Sequence, residues 1–330
     1  MPITKERHLS ELIEGGLKEL ELPEMPALLY DPIRYTLDLP GKRVRPYLTL
    51  IGCGLAGGDI KEALPAALAM ELLHNFTLLH DDIMDQADTR RGKASVFKRW
   101  DSNTAILSGD AMYARAFKQL QHYGRSEQYS KKQYSRILDI FLGSAEKVCE
   151  GQAFDLEFEE QSQVTIADYL HMIEGKTAAL ISGSLAIGAA VAAANEDSIQ
   201  QLQSVGRKTG IAFQIQDDLL DVVADPEKFG KERGGDIREG KKTYLSLLAL
   251  QRCNSHQKEL LSKELSSSRR SPDGVAAVIE LYKELNVIDA ADKIVQQYYE
   301  EAMEEVAVFD PSPYKDKIIT FLNRLLSRES

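Results

Sequence analysis

An all-α fold is predicted from three observations. Apolar residues recur at helical spacing through nearly the whole chain, alternating strand patterns are almost absent, and no shift in composition marks a domain boundary. The 330 residues are ample for a substantial core and are expected to form one helical domain over 1–330. A net charge of −11 argues against nucleic acid or an anionic membrane as the main partner. Cys53, Cys149 and Cys253 are odd in number, far apart and without a Cys-x-x-Cys pair. Neither a disulfide framework nor a zinc site is expected, and a reducing cytoplasm fits. The opening MPITKERHLSELIEG lacks a basic stretch followed by an apolar one, so no signal peptide is expected.

Residues 7–21 read as an amphipathic helix, and 26–39 as a second that stops at Pro40-Gly41. GKRVRP follows and puts Lys42, Arg43 and Arg45 at the entrance of a helix over 46–56. Cations there oppose the helix dipole, which favours anions. A bound phosphate would relieve this; a solvated basic turn is the plainer alternative. Residues 62–80 form one long helix carrying His74, and a lone histidine on an apolar helix is usually a satisfied core residue.

That helix runs into LLHDDIMDQADTRRGK, residues 78–93. Asp81 and Asp85 are four apart, so on a helix they share a face about one turn apart. Left alone the pair costs about 0.2–0.5 kcal/mol, and a helix C-terminus adds to the penalty. A cation reverses the sign: paired carboxylates suit Mg²⁺, which keeps part of its water and is commonly held by one or two carboxylates plus substrate phosphates. Arg90 and Arg91 follow with phosphate-matching donors. Alone, the cluster is equally a solvated acidic helix end. Far downstream, however, FQIQDDLLD repeats the spacing with Asp217, Asp218 and Asp221, closing a helical run over 209–221. Two such clusters suggest two walls of one metal site.

Between them, 100–123 reads as a helix containing Ser108-Gly109-Asp110, and 131–160 as another ending in EGQAFDLEFEE, where Gln152 and Asp155 could face a polar cavity. Residues 167–174 lead into GKTAAL, which puts Lys176 and Thr177 at the mouth of 178–194, the most apolar segment. It is too short and small-residue-rich for a membrane span, which needs about 20 apolar residues, so a buried core helix is expected. Beyond the second cluster, ADPEKFGKERGGDIREGKKT is rich in glycine and charge. Its Lys231, Lys241 and Lys242 are expected in a flexible cationic lid. Helices are expected at 244–265, 274–285, 288–309 and 314–328.

Taken in order, GKRVRP, LLHDDIMDQADTRRGK, GKTAAL, FQIQDDLLD and GKERGGDIREGKKT resemble the trans-isoprenyl diphosphate synthases, the polyprenyl synthetase family. The resemblance covers roughly residues 30–245. It implies an isoprenoid synthase type I helical bundle around a central cavity, working as a homodimer. It also implies short-chain trans-prenyltransferase activity: isopentenyl diphosphate is condensed with dimethylallyl, geranyl or farnesyl diphosphate by ionisation, condensation and elimination. On it, Asp81, Asp85, Asp217 and Asp221 hold three Mg²⁺, with Mn²⁺ as a substitute, and Asp82 and Asp218 orient those ligands. Arg90, Lys176, Lys231 and Lys241 contact the allylic diphosphate. Lys42, Arg45, His74 and Arg91 bind that of isopentenyl diphosphate. Thr177 and Gln214 present oxygens to the carbocation. The usual Gly-Gly before the first lysine is Pro40-Gly41 here, and the C-terminal LLSRES offers only Arg328 where some members carry a basic tail.

Product length is expected to follow from Phe76 and Thr77, which lie about one turn before Asp81 on the same helix. One aromatic at this depth resembles geranylgeranyl (C20) synthases more than farnesyl (C15) ones, while Leu72, Leu73, Met112 and Tyr113 are further candidates for the floor. The intact second cluster argues against a terpene cyclase. The full set of acids argues against an inactive regulatory subunit of a heterodimeric synthase.

Overall fold

The computed structural model describes residues 3–161, 163–223, 233–266 and 272–327. Helices follow one another almost without interruption: α1 (Ile3–Lys18), α2 (Ala27–Asp38), α3 (Val44–Leu55), α4 (Leu64–Met84), α5 (Val96–Arg99), α6 (Ser102–Arg125), α7 (Lys131–Glu160) and α8 (Ile166–Ile173). After a π-helical turn, Glu174–Ala178, come α9 (Ala179–Val191), α10 (Glu196–Val223), α11 (Gly235–Glu239), α12 (Tyr244–Arg252), α13 (Ser255–Ser266), α14 (Pro272–Glu284), α15 (Val287–Ala307) and α16 (Pro313–Leu326). The expected all-α class holds. Among the described residues no helix is long and apolar enough to cross a membrane.

The chain divides into two compact units, one formed by residues 1–145, 180–203 and 309–318, the other by 146–179, 204–308 and 319–330. The first unit is built on α3, α4, α6 and α9. Its helix α9 is nearly all small and apolar because backbone meets backbone there. A methyl group on Gly188 would overlap the Thr49 carbonyl, and one on Gly52 the Leu185 carbonyl, so glycine on each helix is what allows α3 and α9 to touch. The second unit closes around α10 and α15, where the Tyr299 hydroxyl donates to Gln216 Oε1 at 3.2 Å and Gln216 Nε2 donates to the Leu325 carbonyl at 2.8 Å.

Several boundaries depart from the sequence reading. Helix α4, expected to stop at residue 80, runs to Met84. It ends in a Schellman motif: Gln86 takes a left-handed φ of 50°, Ala87 N–H donates to Asp82 O at 2.9 Å and Gln86 N–H to Ile83 O at 3.3 Å. The span 244–265 is two helices, α12 and α13. A two-residue hairpin, Thr89–Arg90 with Lys93–Ala94, is not among the expected elements, because strands this short show no alternation. Its turn residues Arg91 (φ 53°) and Gly92 (φ 73°) both have positive φ, as a type I′ turn requires.

Candidate active site

In the first unit the acidic motif sits on the last turn and cap of α4. Asp85 N–H donates to the Asp81 carbonyl at 2.8 Å, so helical geometry persists here and sets the two side chains on one face, Asp81 half-buried and Asp85 exposed. Asp82, between them, is buried and accepts from Arg90 Nε at 2.8 Å and Nη2 at 2.5 Å. Burial pushes its carboxyl up, and the Arg90 hydrogen bond pulls it back. Asp82 thus fixes Arg90 directly, in a charge-assisted fork.

The basic residues of the same unit gather around His74. Arg91 is brought by the hairpin turn to the Pro40-Gly41 bend, where a β-carbon on Gly41 would lie 2.9 Å from Arg91 Nη1. Glycine there leaves room for the guanidinium. Arg45 Nε and Arg91 Nη1 are buried without a hydrogen-bond partner, which in a folded chain marks donors held for something else. Half-buried His74 is kept neutral: burial and then the charges of Arg45, Arg91, Arg90 and Arg43 lower its pKa well below the usual range. Lys42 is exposed at the entrance. Arg43 has a structural job, its guanidinium donating to Glu14 at 3.0 Å, Glu71 at 2.9 Å and the Leu37 carbonyl at 2.5 Å.

The chain-length candidates separate. Phe76 is half-buried and packs edge-on against His80 (4.7 Å between ring centroids) and tilted against Tyr113 (5.4 Å), which stacks on Phe141 (6.1 Å). Thr77 is packed away with 9% exposure, its hydroxyl donating to the His74 carbonyl at 2.8 Å. An aromatic layer therefore crosses α4, α6 and α7 below the acidic motif.

In the second unit, Lys176 and Thr177 lie in the π-helical turn, a feature frequent at functional sites. The turn packs so closely on α7 that a methyl on Gly151 would overlap the Lys176 amide. Lys176 Nζ pairs with Asp155 at 2.5 Å, 21 residues earlier. Thr177 Oγ1 donates to Gln214 Oε1 at 2.9 Å, and Gln214 Nε2 donates to Asp218 Oδ1 at 3.2 Å. Asp218 is buried and also accepts from the Tyr169 hydroxyl at 2.5 Å and the Tyr244 amide at 3.3 Å. Burial, then the Asp236 charge, push its carboxyl up to about 8 against the pull of those hydrogen bonds.

The other two acids of this motif differ again. Asp217 is exposed, whereas Asp221 accepts from the Gly235 and Asp236 amides, both at 3.1 Å. Asp236, which the sequence reading does not single out, adds a further carboxylate: burial and the charges of Asp221 and Asp217 raise it to about 6, against the pull of Lys241. Lys241 lies 2.7 Å from Glu239 and 3.8 Å from Asp236. The flexible lid needs correction in part. Residues 235–239 are helical, and Lys242 is tied to the Phe158 and Glu159 carbonyls at the end of α7, which satisfy its charge. Lys231 and Arg328 lie outside the described residues.

Among the described residues no three His, Cys, Asp or Glu side chains form a ready-made metal cage. Within each unit the acidic pair, Asp81 with Asp85 in the first and Asp217 with Asp221 in the second, offers only hard carboxylate oxygens, the donor chemistry that suits Mg²⁺. Neither the pairing of Asp155 with Lys176 nor the carboxylate of Asp236 beside Asp221 is visible in the sequence, because each depends on a partner distant along the chain.

Residues 26–282 match the family model described as polyprenyl synthetase. The chain is 42% identical over 255 residues to a short chain isoprenyl diphosphate synthase of Methanocaldococcus jannaschii, covering 77% of this chain and 76% of that protein. It is 33% identical over 323 residues to a geranylgeranyl diphosphate synthase of Methanosarcina mazei, covering 98% and 97%. Its fold superposes on the crystal structure of geranylgeranyl pyrophosphate synthetase from Pyrococcus horikoshii Ot3 with a TM-score of 0.92 at 37% identity, covering 99% and 98% of the two chains. On these matches, and with the five motifs placed as above, the chain belongs to the polyprenyl synthetase family.

Proposed function

We propose that the chain is a trans-prenyltransferase that extends an allylic diphosphate with isopentenyl diphosphate and releases mainly a C20 product, geranylgeranyl diphosphate. The observation that carries this reading is the pairing of Asp81 and Asp85 on one helix face with the buried, unpartnered donors Arg45 Nε and Arg91 Nη1 in the same unit. That pairing suits two diphosphates, one approached through carboxylate-bound cations and one through arginines.

Asp81 and Asp85, and in the second unit Asp217 and Asp221, would hold divalent ions, three Mg²⁺ with Mn²⁺ as substitute, which would offset the charge of the departing diphosphate. Arg90, fixed by Asp82, and Lys176, held by Asp155, grip the allylic diphosphate together with Lys231 and Lys241. Its C–O bond breaks and leaves an allylic cation, which the Thr177 and Gln214 oxygens stabilise without trapping it. The double bond of isopentenyl diphosphate, held by Lys42, Arg45, His74 and Arg91, attacks that cation and forms the new C–C bond. A proton then leaves to the released diphosphate. Phe76, braced by Tyr113, ends the path open to the growing chain.

The protein acts as one domain over 1–330, a homodimer in the cytoplasm, where Cys53, Cys149 and Cys253 stay free. The test incubates purified protein with Mg²⁺, isopentenyl diphosphate and, separately, dimethylallyl, geranyl and farnesyl diphosphate, then sizes the prenyl alcohols after phosphatase treatment. A dominant C20 product is expected. A C15 limit or products beyond C20 would remove Phe76 as the floor.

A further inference from the structure

We propose that Glu71 is a positioning residue for the isopentenyl diphosphate pocket: its buried carboxylate is the standing counter-charge that keeps Arg45 and Arg91 gathered before substrate arrives. The inference rests on the reading of that pocket given above.

Glu71 lies on α4, three residues before His74, and is 1% exposed. Oε1 accepts from Arg43 Nη1 at 2.9 Å and from Asn75 Nδ2 at 3.0 Å, while Oε2 is buried with no hydrogen-bond partner. A carboxylate buried this deeply has to be matched by charge. Arg43 alone would match it, but Arg43 is already shared with Glu14 and with the Leu37 carbonyl. Two further arginines of the cluster, Arg45 and Arg91, carry buried donors without a partner, as Glu71 Oε2 is a buried acceptor without one, and the Glu71 charge favours both guanidiniums.

The backbone supports the same assignment. Arg43, whose guanidinium meets Glu71, sits in a left-handed conformation at φ 46°, where a non-glycine residue is disfavoured and persists only when its surroundings impose it. Asn75 Nδ2 also donates to the Glu71 carbonyl at 2.8 Å, so the amide that orients the carboxylate is itself fixed. The result is a patch whose cations are oriented but only partly neutralised. An incoming diphosphate completes the neutralisation without having to gather its own ligands. Without Glu71, the guanidiniums would repel one another and spread between turnovers.

Three variants separate this from ordinary packing: Glu71→Gln, Glu71→Asp, and the double substitution Arg43→Gln with Glu71→Gln, which removes the buried pair as a neutral unit and guards against a misfolded single variant. Isopentenyl diphosphate binding is measured by calorimetry without divalent metal, and KM for each substrate and kcat are measured with Mg²⁺. Glu71→Gln is expected to weaken isopentenyl diphosphate binding and raise its KM by about tenfold or more, with the allylic KM and kcat within about twofold. Glu71→Asp should return most of the loss, and the double variant should stay weak, because Arg45 and Arg91 still lack their counter-charge. Normal affinity in the double variant would overturn the inference and reduce Glu71 to the partner of Arg43. So would a lowered melting temperature with every KM unchanged. Wild-type protein that neither binds nor consumes isopentenyl diphosphate would instead contradict the pocket reading, and this inference with it.

Discussion

The two Asp-Asp-x-x-Asp motifs share a spacing and differ in nearly everything around it. In the first, the middle acid Asp82 clamps Arg90, and Lys42, Arg43, Arg45 and Arg91 belong to the same unit. In the second, the middle acid Asp218 is a buried hub for a tyrosine, a glutamine and a backbone amide, and Asp221 caps the segment that follows it. In the second motif Asp218 and Asp236 are both pushed up, by burial first and by neighbouring carboxylates next, whereas Asp82 of the first, also raised by burial, is pulled back by Arg90. Spacing alone therefore states which residues can meet a cation, and the surroundings decide which of them are free to do so.

The contrast is sharpest in stability. Asp218→Leu leaves the Tyr169 hydroxyl, the Gln214 amide and the Tyr244 N–H without their acceptor and is expected to cost about 3 kcal/mol in urea unfolding. Asp82→Leu releases a half-exposed arginine that water can solvate, and should cost about 1 kcal/mol or less. Equal losses would erase the distinction between hub and clamp. Kinetically, Lys176→Ala should lower kcat by about a hundredfold with little change in the KM for isopentenyl diphosphate. Arg91→Ala should do the reverse, raising that KM by about tenfold at nearly unchanged kcat. A common effect on both parameters would mean that the two basic groups serve one diphosphate.

Smaller effects test the elements behind the sites. Phe76→Ala should lengthen the dominant product by at least one C5 unit, read by chromatography of the alcohols, since Tyr113 alone leaves the aromatic layer open. Gln86→Gly should raise stability by about 0.5–1 kcal/mol, because glycine relieves the left-handed cap that ends α4. No gain would place the helix stop elsewhere.

Most of the helical layout is legible in the sequence, because a 3.6-residue period survives over long segments; α7 begins and ends where the periodicity places it. The end of α4 reads too early because the like-charge penalty at Asp81 and Asp85 resembles a helix stop, whereas the left-handed Gln86 supplies the stop several residues later. The π-helical turn carries no signature beyond GKTAAL, and its register is set by the Gly151 contact from α7. Likewise Asp155 reads as one acid in an acidic run until folding brings Lys176 to it, and Lys242 reads as a lid cation until the end of α7 claims it. Local pattern identifies the chemistry-bearing residue types, and distant contacts assign their partners.

If both acidic motifs serve the proposed ionisation step despite their different surroundings, losing the first acid of either should stop turnover. Initial rates with isopentenyl diphosphate, geranyl diphosphate and Mg²⁺ are compared for wild type, Asp81→Asn and Asp217→Asn, with folding verified by circular dichroism. Wild type is expected to be active and each variant to lose about a thousandfold in kcat. Undiminished turnover in either variant would contradict that shared step.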